Sequence, residues 1–513
     1  MTSPSGITKR DAYDEVPYDT EANSEAHPRS MATLARLFGL NAAAPSTARV
    51  LEIGCGDGEH MIAAASYMPR ARFVGFDLAA EAVARGAAAA REVGTDNVEL
   101  LHRDVRDVRA SGLGANGGES GALFDYVVAH GVYSWVPEVV RADVLAVMRG
   151  ALAPNGIGFL SVNASPGWEL RQALRILMRE AAAGFEDPAE KVSAALALVD
   201  DLAGARGEGF VRVLAKAAEE YRAHVTQATP PDVPFSRYVF HDLLAECNDP
   251  FSVAELEARL AAAGLRMVCE TPLRPGRARD FAGLAADMAR SGSPFLQVLV
   301  CRDDASSEPR NGAHAIDSIR TMHLWADLAP AGTGAFRTTT GALLRASGDV
   351  GLARAARSAP GFVAVSALAD DEEGLANLER DLYVASCEGI LSIVGEPPPI
   401  RGASGWPCVA PHVRLRARAA VQRGAKTAVL TSALHRSFRV PFAELIVVQE
   451  LDGATDLGQL RERVGRSLHA APPELVGMTL ARGEAGAEAE LVEKVIDRFA
   501  RYGFLVGSGE GGA

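Results

Sequence analysis

Cysteine is scarce in this 513-residue chain. The six cysteines, at 55, 247, 269, 301, 387 and 408, are scattered, with no CxxC pair and no disulfide-like spacing. That argues against a cysteine-stapled scaffold and fits a reducing, cytoplasmic setting. No run of about 18 apolar residues occurs, so no membrane span is expected. The stretch from Met1 to Tyr18 is polar and carries acids, unlike a signal peptide or a basic transit peptide. Positive charge is in deficit too: 65 Asp and Glu against 52 Lys and Arg give a net charge of −13. A nucleic-acid groove spread over the whole molecule is therefore not expected. Internal repeats are missing. His241, Asp242 and Glu246 do not have the H-E-x-x-H spacing, and no other cluster joins them, so no metal is assigned.

What is present is α/β alternation. The length suggests two to four domains. An N-terminal arm spans residues 1–48, with a short helical pattern from Met31 to Leu40. Strands are predicted at 49–54, 72–77, 98–103, 124–130 and 157–163, with helices at roughly 58–68, 79–93 and 138–152 between them. Runs such as FDYVVA from Phe124 are what strands covered on both faces look like. The core sheet is assigned to 49–166. Residues 167–250 are helical in character and interrupted by Pro230, Pro231 and Pro234, which reads as an insertion or lid. A helix capped by Ser252 and closed by Gly264 leads to two more strands, 265–270 and 295–301, so 251–302 returns the chain to the same sheet. A polar linker at 303–315 precedes an α+β accessory region over 316–513.

The strongest chemical signal is RVLEIGCGDG, from Arg49 to Gly58. An apolar strand carries Glu52, then Gly54, Cys55, Gly56, Asp57 and Gly58 turn the chain into a helix. Glycines let the backbone turn tightly and approach a ligand with no Cβ in the way. The next strand ends at Asp77-Leu78, at a spacing suited to holding a ribose through its two hydroxyls. A nicotinamide-dinucleotide site is the competing reading, but its fingerprint is GxGxxG and its helix N-terminus receives a pyrophosphate. Here the third glycine comes one residue early, and Glu52 and Asp57 would repel a pyrophosphate. Those charges suit a cationic ligand, such as a sulfonium bearing an amino group. Asp104 and Val105 follow the third strand, where an acid can accept from an adenine amino group. His130 and Gly131 end the fourth strand, and strand carboxyl ends are where ligands bind in such sheets.

Taken together, Tyr13, Pro17-Tyr18, His27-Pro28, Glu52 to Gly58, Asp77, HGVYSWVP from His130 to Pro137, and Ser161, Asn163, Pro166, Gly167 and Trp168 resemble the bacterial class I S-adenosylmethionine-dependent methyltransferases that carry a methyltransferase regulatory domain. That family includes protein-lysine methyltransferases of outer-membrane proteins. The resemblance covers roughly residues 10–305. YVFHDLLAECNDP, from Tyr238 to Pro250, looks like the regulatory segment. Asp242 stands where Glu is usual, and Asp19-Thr20 where Pro-Ser is usual. The C-terminal half, at Gly424, Leu434-His435 and Leu451-Asp452-Gly453, resembles the family more faintly. The resemblance implies a Rossmann-like sheet with a helical insertion and a C-terminal α+β domain. It also implies S-adenosylmethionine as cofactor, S-adenosylhomocysteine as product, and an amine acceptor such as a lysine of a protein or peptide.

Methyl transfer from a sulfonium is an in-line displacement with a good leaving group, so alignment and removal of solvent are what a protein supplies. An amine acceptor must first lose its proton. His130, Tyr133 and Asn163 are the candidates for orienting it. Tyr133 and Trp135 either wall a substrate channel or pack under the lid helices, and the same choice holds for Trp168. Asn163 binds substrate or caps the next helix. Tyr13, Tyr18 and His27 fold over the cofactor or anchor the arm. Cys55 is read as a small residue fitting a tight turn. Arg414, Arg416, Arg418, Arg423 and Lys426 read as a solvated helix face. Two other functions stay open: methylation of a natural-product peptide or small molecule, and cofactor binding without turnover. The acceptor partner is thus a protein, a peptide or a small molecule, and a homodimer is left open.

Overall fold

The computed structural model describes residues 15–506 apart from 19, 114–122, 229–234, 273–280, 310–315, 317, 327, 333–334, 339–342, 346–349, 388–390, 401–405 and 477–485. Tyr13 lies outside the described residues.

Helix α1 (Pro28–Leu37) leads into the sheet, with the His27 side chain accepting the Arg29 N–H at 3.1 Å as its cap. Strands and helices then alternate: β1 (Arg49–Ile53), α2 (Glu59–Ser66), β2 (Arg72–Asp77), α3 (Ala80–Val93), β3 (Val98–His102), α4 (Val105–Ser111), β4 (Phe124–Ala129), α5 (Glu138–Ala151) and β5 (Leu152–Asn163). Four helices follow, α6 (Glu169–Ala182), α7 (Pro188–Gly204), α8 (Phe210–Ala228) and α9 (Arg237–Asp242). The chain then returns through α10 (Val253–Ala262), β6 (Leu265–Glu270), α11 (Phe281–Ser291) and β7 (Phe295–Arg302). Local chemistry sets these ends. Asp187 caps α7 just before Pro188, and Ser252 with Glu255 forms a capping box on α10.

The seven strands form one sheet in the order β3-β2-β1-β4-β5-β7-β6. Neighbours are parallel except β7, which runs antiparallel to both β5 and β6. The strands read at 265–270 and 295–301 therefore extend the β5 edge. Side chains alternate across the pleat. Val50, Phe73, Tyr126 and Phe159 face α1 and α2, while Leu51, Val74, Val127 and Leu160 face α5, α10 and α11. Both faces are buried, which is why the strands read as continuous apolar runs.

Helices α6 to α9 share a core of their own around Trp168, Met178, Val199, Tyr221 and Val239. Residues 319–391 join the sheet face that α1 covers, through Ile319, Leu324 and Leu382. Residues 409–505 form a further core, in which helix Pro411–Gln422 and the hairpin of strands Thr427–Thr431 and Ser437–Pro441 pack around Leu430 and Phe499, with Tyr67 from behind α2. In the expected linker, residues 303–308 are tied to the sheet: Arg149 and Arg302 pair with Asp304, and Arg266 reaches the Ser307 carbonyl at 2.8 Å. Residues 310–315 are outside the described residues.

Candidate active site

The turn from β1 into α2 is built by its backbone. Gly54 and Cys55 both donate to the Phe76 carbonyl, at 2.9 and 3.1 Å, and Gly58 donates to the Cys55 carbonyl at 2.9 Å. Asp77, at the end of β2, accepts the Gly56 N–H on Oδ2 and the Ala79 N–H on Oδ1, each at 2.8 Å. Its carboxylate thus fixes the glycine turn. Gly56 has φ +56°, and a Cβ there would lie 2.7 Å from Thr20 Cγ2. Glycine is required at this position on both counts. The Thr20 hydroxyl donates to Asp57, so the segment before α1 lies across the turn.

Three acids converge here. Glu52 is buried, its Oε2 has no partner, and its carboxyl is pushed up to about 8 by burial, then by Asp77 and Asp57. A buried carboxyl beside two carboxylates is a site waiting for positive charge. Cys55 is buried, and its thiol is pushed well up by the same burial and acids, so it is no nucleophile at neutral pH. Leu78 is exposed beside Asp77, and Val105 is half-buried. Asp104 caps α4 through the Arg106 N–H at 2.8 Å and pairs with the Arg106 guanidinium, which holds its carboxyl below the ordinary value.

His130, just past β4, has both ring nitrogens engaged. Nδ1 lies 3.1 Å from Ser161 Oγ, and Nε2 lies 3.1 Å from Asn23 Nδ2. Ser161 Oγ also accepts the Gly131 N–H at 2.9 Å. The network assigns the proton to Nδ1, with Nε2 accepting from Asn23. Burial lowers His130 to about 4, so the ring is neutral. Asn23 Nδ2 donates as well to Gln297 Oε1 at 2.9 Å, which links the arm to β7.

Tyr133, Asn163 and Trp168 are buried. The Tyr133 ring packs on Phe251 at 5.2 Å and its hydroxyl bonds the Arg259 side chain. Asn163 receives the Ser134 hydroxyl oxygen as acceptor for its N–H at 2.9 Å, and its amide donates to Asn248 Oδ1 at 2.6 Å. Asn248 in turn donates to the Asp242 carbonyl at 2.6 Å. These bonds clamp the end of β5 to the segment after α9. Trp168 packs among the lid helices with Arg171 over its ring at 5.2 Å, and its Nε1 has no partner. Trp135 is half-buried. Tyr18 is exposed and meets His241 edge-on at 5.4 Å.

The structure therefore gathers Glu52, Gly54, Cys55, Gly56, Asp57, Gly58 and Asp77 in one turn, with His130 tied to it through the arm. It sets Tyr133, Asn163 and Trp168 deeper, in the clamp and the lid. Sequence reading missed Asn23 and Gln297, and it noted Thr20 only as a departure from the family pattern, whereas the structure sets Thr20 over the glycine turn. The hint for Asn23 was that it falls between Tyr18 and His27, both already singled out. Arg416, expected on a solvated face, pairs with Glu59 in the first turn of α2.

A family model for a methyltransferase domain matches residues 51–157. An uncharacterised protein of Rickettsia prowazekii (strain Madrid E), RP028, is 31% identical over 241 residues, covering 47% of this chain and 90% of that protein. The chain belongs to the class I S-adenosylmethionine-dependent methyltransferases. A second uncharacterised protein of the same organism, RP789, is 31% identical to this methyltransferase over 257 residues, which is 49% of this chain but 43% of that protein. The chain thus spans less than half of RP789. The structure of PKMT2 from Rickettsia typhi in complex with AdoHcy superposes with a TM-score of 0.79 at 21% identity, over 96% of this methyltransferase and 100% of that chain. The shared fold therefore includes the lid and the C-terminal α+β region. Among the described residues, no helix of this methyltransferase is long and apolar enough to cross a membrane.

Proposed function

We propose that this methyltransferase acts on an amine nitrogen, with a lysine side chain of a protein or peptide as the acceptor, in the cytoplasm. The observation that carries this reading is the fold likeness to the protein lysine methyltransferase PKMT2, which extends through the lid and C-terminal region rather than stopping at the cofactor sheet. S-adenosylmethionine, when bound, supplies an electrophilic methyl group on a sulfonium. Glu52, Gly54, Cys55, Gly56, Asp57, Gly58 and Asp77 would hold it, and the unpartnered, desolvated carboxyl of Glu52 fits its positive charge. Asp77 would take the ribose. Leu78, Asp104, Val105, Gly131, His130 and Tyr18 would form the rim.

The acceptor side is read at the carboxyl ends of β4 and β5. Neutral His130, with both ring nitrogens taken by Asn23 and Ser161, shapes the cleft wall and does not abstract the proton. The aromatic walls that Tyr133 and half-buried Trp135 give this end of the sheet would lower the proton affinity of an entering ammonium and so favour its neutral, nucleophilic form, while Trp168 packs the lid above it. Asn163 holds the wall of that cleft through Asn248.

The test is labelled methyl transfer into lysine-bearing proteins by the full chain, with the modified atom located by mass spectrometry. Methylated lysine is the expected product. Turnover confined to small amines or natural-product peptides would replace this acceptor. Tight S-adenosylhomocysteine binding with no turnover on any acceptor class would make the chain a cofactor-binding regulator.

A further inference from the structure

One of the side chains with which the C-terminal region reaches the cofactor site is held in an unusual conformation. His435 lies in the turn joining strands Thr427–Thr431 and Ser437–Pro441, closed by His435 N–H to Ser432 O at 2.8 Å and Ser432 N–H to Arg436 O at 3.0 Å. Among the described residues it is the one non-glycine with positive φ, at +56°. A Cβ is disfavoured there, and a glycine would sit without strain. What the histidine adds is its ring, which is fully buried and leaves the C-terminal region to reach α2.

His435 Nε2 lies 2.9 Å from His60 Nδ1, with the two rings edge-on at 4.6 Å. The His27 ring covers the other side at 4.5 Å. His60 is the second residue of α2, two positions beyond Gly58. The Asn23 backbone N–H points at the same His60 Nδ1, at 3.3 Å. Both donors need that nitrogen as an acceptor, so the network assigns the His435 proton to Nε2. Asn23 then continues the line, for its side chain holds His130 and Gln297. Beside this contact, Arg416 pairs with Glu59, the residue immediately before His60. The C-terminal region thus grips two consecutive residues in the first turn of α2. The arm resting on those residues is the one whose Thr20 covers Gly56 and bonds Asp57.

We propose that His435 is a positioning residue of the cofactor site: by bonding His60 it holds the start of α2 and the arm carrying Thr20 and Asn23 closed over the glycine turn. On this account the C-terminal region is part of the cofactor-binding machinery, besides whatever it does for an acceptor. The inference needs only cofactor binding and does not depend on the acceptor being a lysine.

The experiment compares wild type with His435→Gly and His435→Asn. Glycine removes the ring and relieves the backbone. Asparagine tolerates the same φ and keeps an N–H donor. Three quantities are read: S-adenosylhomocysteine affinity by calorimetry, hydrogen exchange of amides in residues 20–27, and the thermal midpoint. His435→Gly should keep the midpoint within a few degrees, weaken S-adenosylhomocysteine about tenfold and speed exchange in the arm. His435→Asn should recover part of both losses. With turnover as a fourth readout, KM for S-adenosylmethionine should rise while kcat at saturation stays within about twofold. Unchanged affinity and an equally protected arm in His435→Gly would overturn the proposal. If His435→Gly fails to fold, His435→Asn decides on the same readouts: a folded variant with wild-type affinity, together with an arm that exchanges freely, would break the proposed link and overturn it equally.

Discussion

Asp77 accepts the Gly56 N–H at 2.8 Å, so the side chain read as the ribose clamp also pins the turn that must receive the rest of the cofactor. Asp77→Ala should therefore act twice, removing a ligand contact and loosening the turn. A hydrogen bond to a charged group contributes about 1.5–3 kcal/mol, so a loss of at least tenfold in S-adenosylhomocysteine affinity is expected. Gly56→Val should be at least as harmful, because a Cβ at φ +56° is strained and meets Thr20. Calorimetry on both variants checks this; wild-type affinity in Asp77→Ala would move the ribose contact elsewhere.

Cofactor binding should depend on pH through Glu52. In the free protein its carboxyl is raised to about 8, so it keeps its proton at pH 7. A bound cation favours the carboxylate, and binding below pH 8 should release a proton. Affinity should then strengthen as pH rises from 6 towards 8, and the effect should vanish in Glu52→Gln. Calorimetry in buffers of different ionisation enthalpy counts the proton directly. No proton release in wild type at pH 7 would mean that Glu52 does not face the charge.

Variants of the cleft should separate by whether they leave a buried polar atom unpaired. Asn163→Ala leaves Asn248 Oδ1 unpaired in the interior, which costs about 1–3 kcal/mol of stability, and the thermal midpoint should fall. Half-buried Trp135 has no such role, and Trp135→Ala should lower turnover at least about tenfold while cofactor affinity stays within about threefold; tenfold is about 1.4 kcal/mol of barrier. Tyr133→Phe loses its bond to Arg259, and the same turnover loss is expected. Normal turnover in both aromatic variants would make them core residues and nothing more.

The histidine contact sets a second pH dependence. His27, His60 and His435 are all held below the ordinary histidine value, chiefly by burial, His60 at about 3. Opened, they take up protons near pH 6.5. The open form therefore gains protons first as pH falls, and the stability of the closed contact is full above pH 6.5 and lost below it. Going from pH 7.5 to pH 5, the thermal midpoint should drop more in wild type than in His435→Asn. Equal drops would show that these rings stay together when the rest opens.

The sheet was legible because apolar runs and helical stripes repeat locally, and the glycine turn because its chemistry sits within ten residues, from Arg49 to Gly58. The ends of β4 and β5 were legible as places. What their side chains do was not: Asn163 turns inward to Asn248, a partner 85 positions away. The Asn23–Gln297 and His60–His435 bonds join residues separated by 274 and 375 positions, and neither pair has any spacing signature. Those partners become visible only when the chain is folded.

The place of β7 in the sheet has a consequence for how the chain is made. Ile157 on β5 pairs with Cys301 on β7, and β6 reaches the sheet only through β7. During synthesis the first five strands can assemble early, yet β5 then remains an open edge while the four lid helices, α10 and β6 emerge. An uncovered apolar edge invites pairing with other chains. The nascent protein therefore carries that open edge over the interval between residues 163 and 302, while the lid helices, which share a core of their own, emerge beside it.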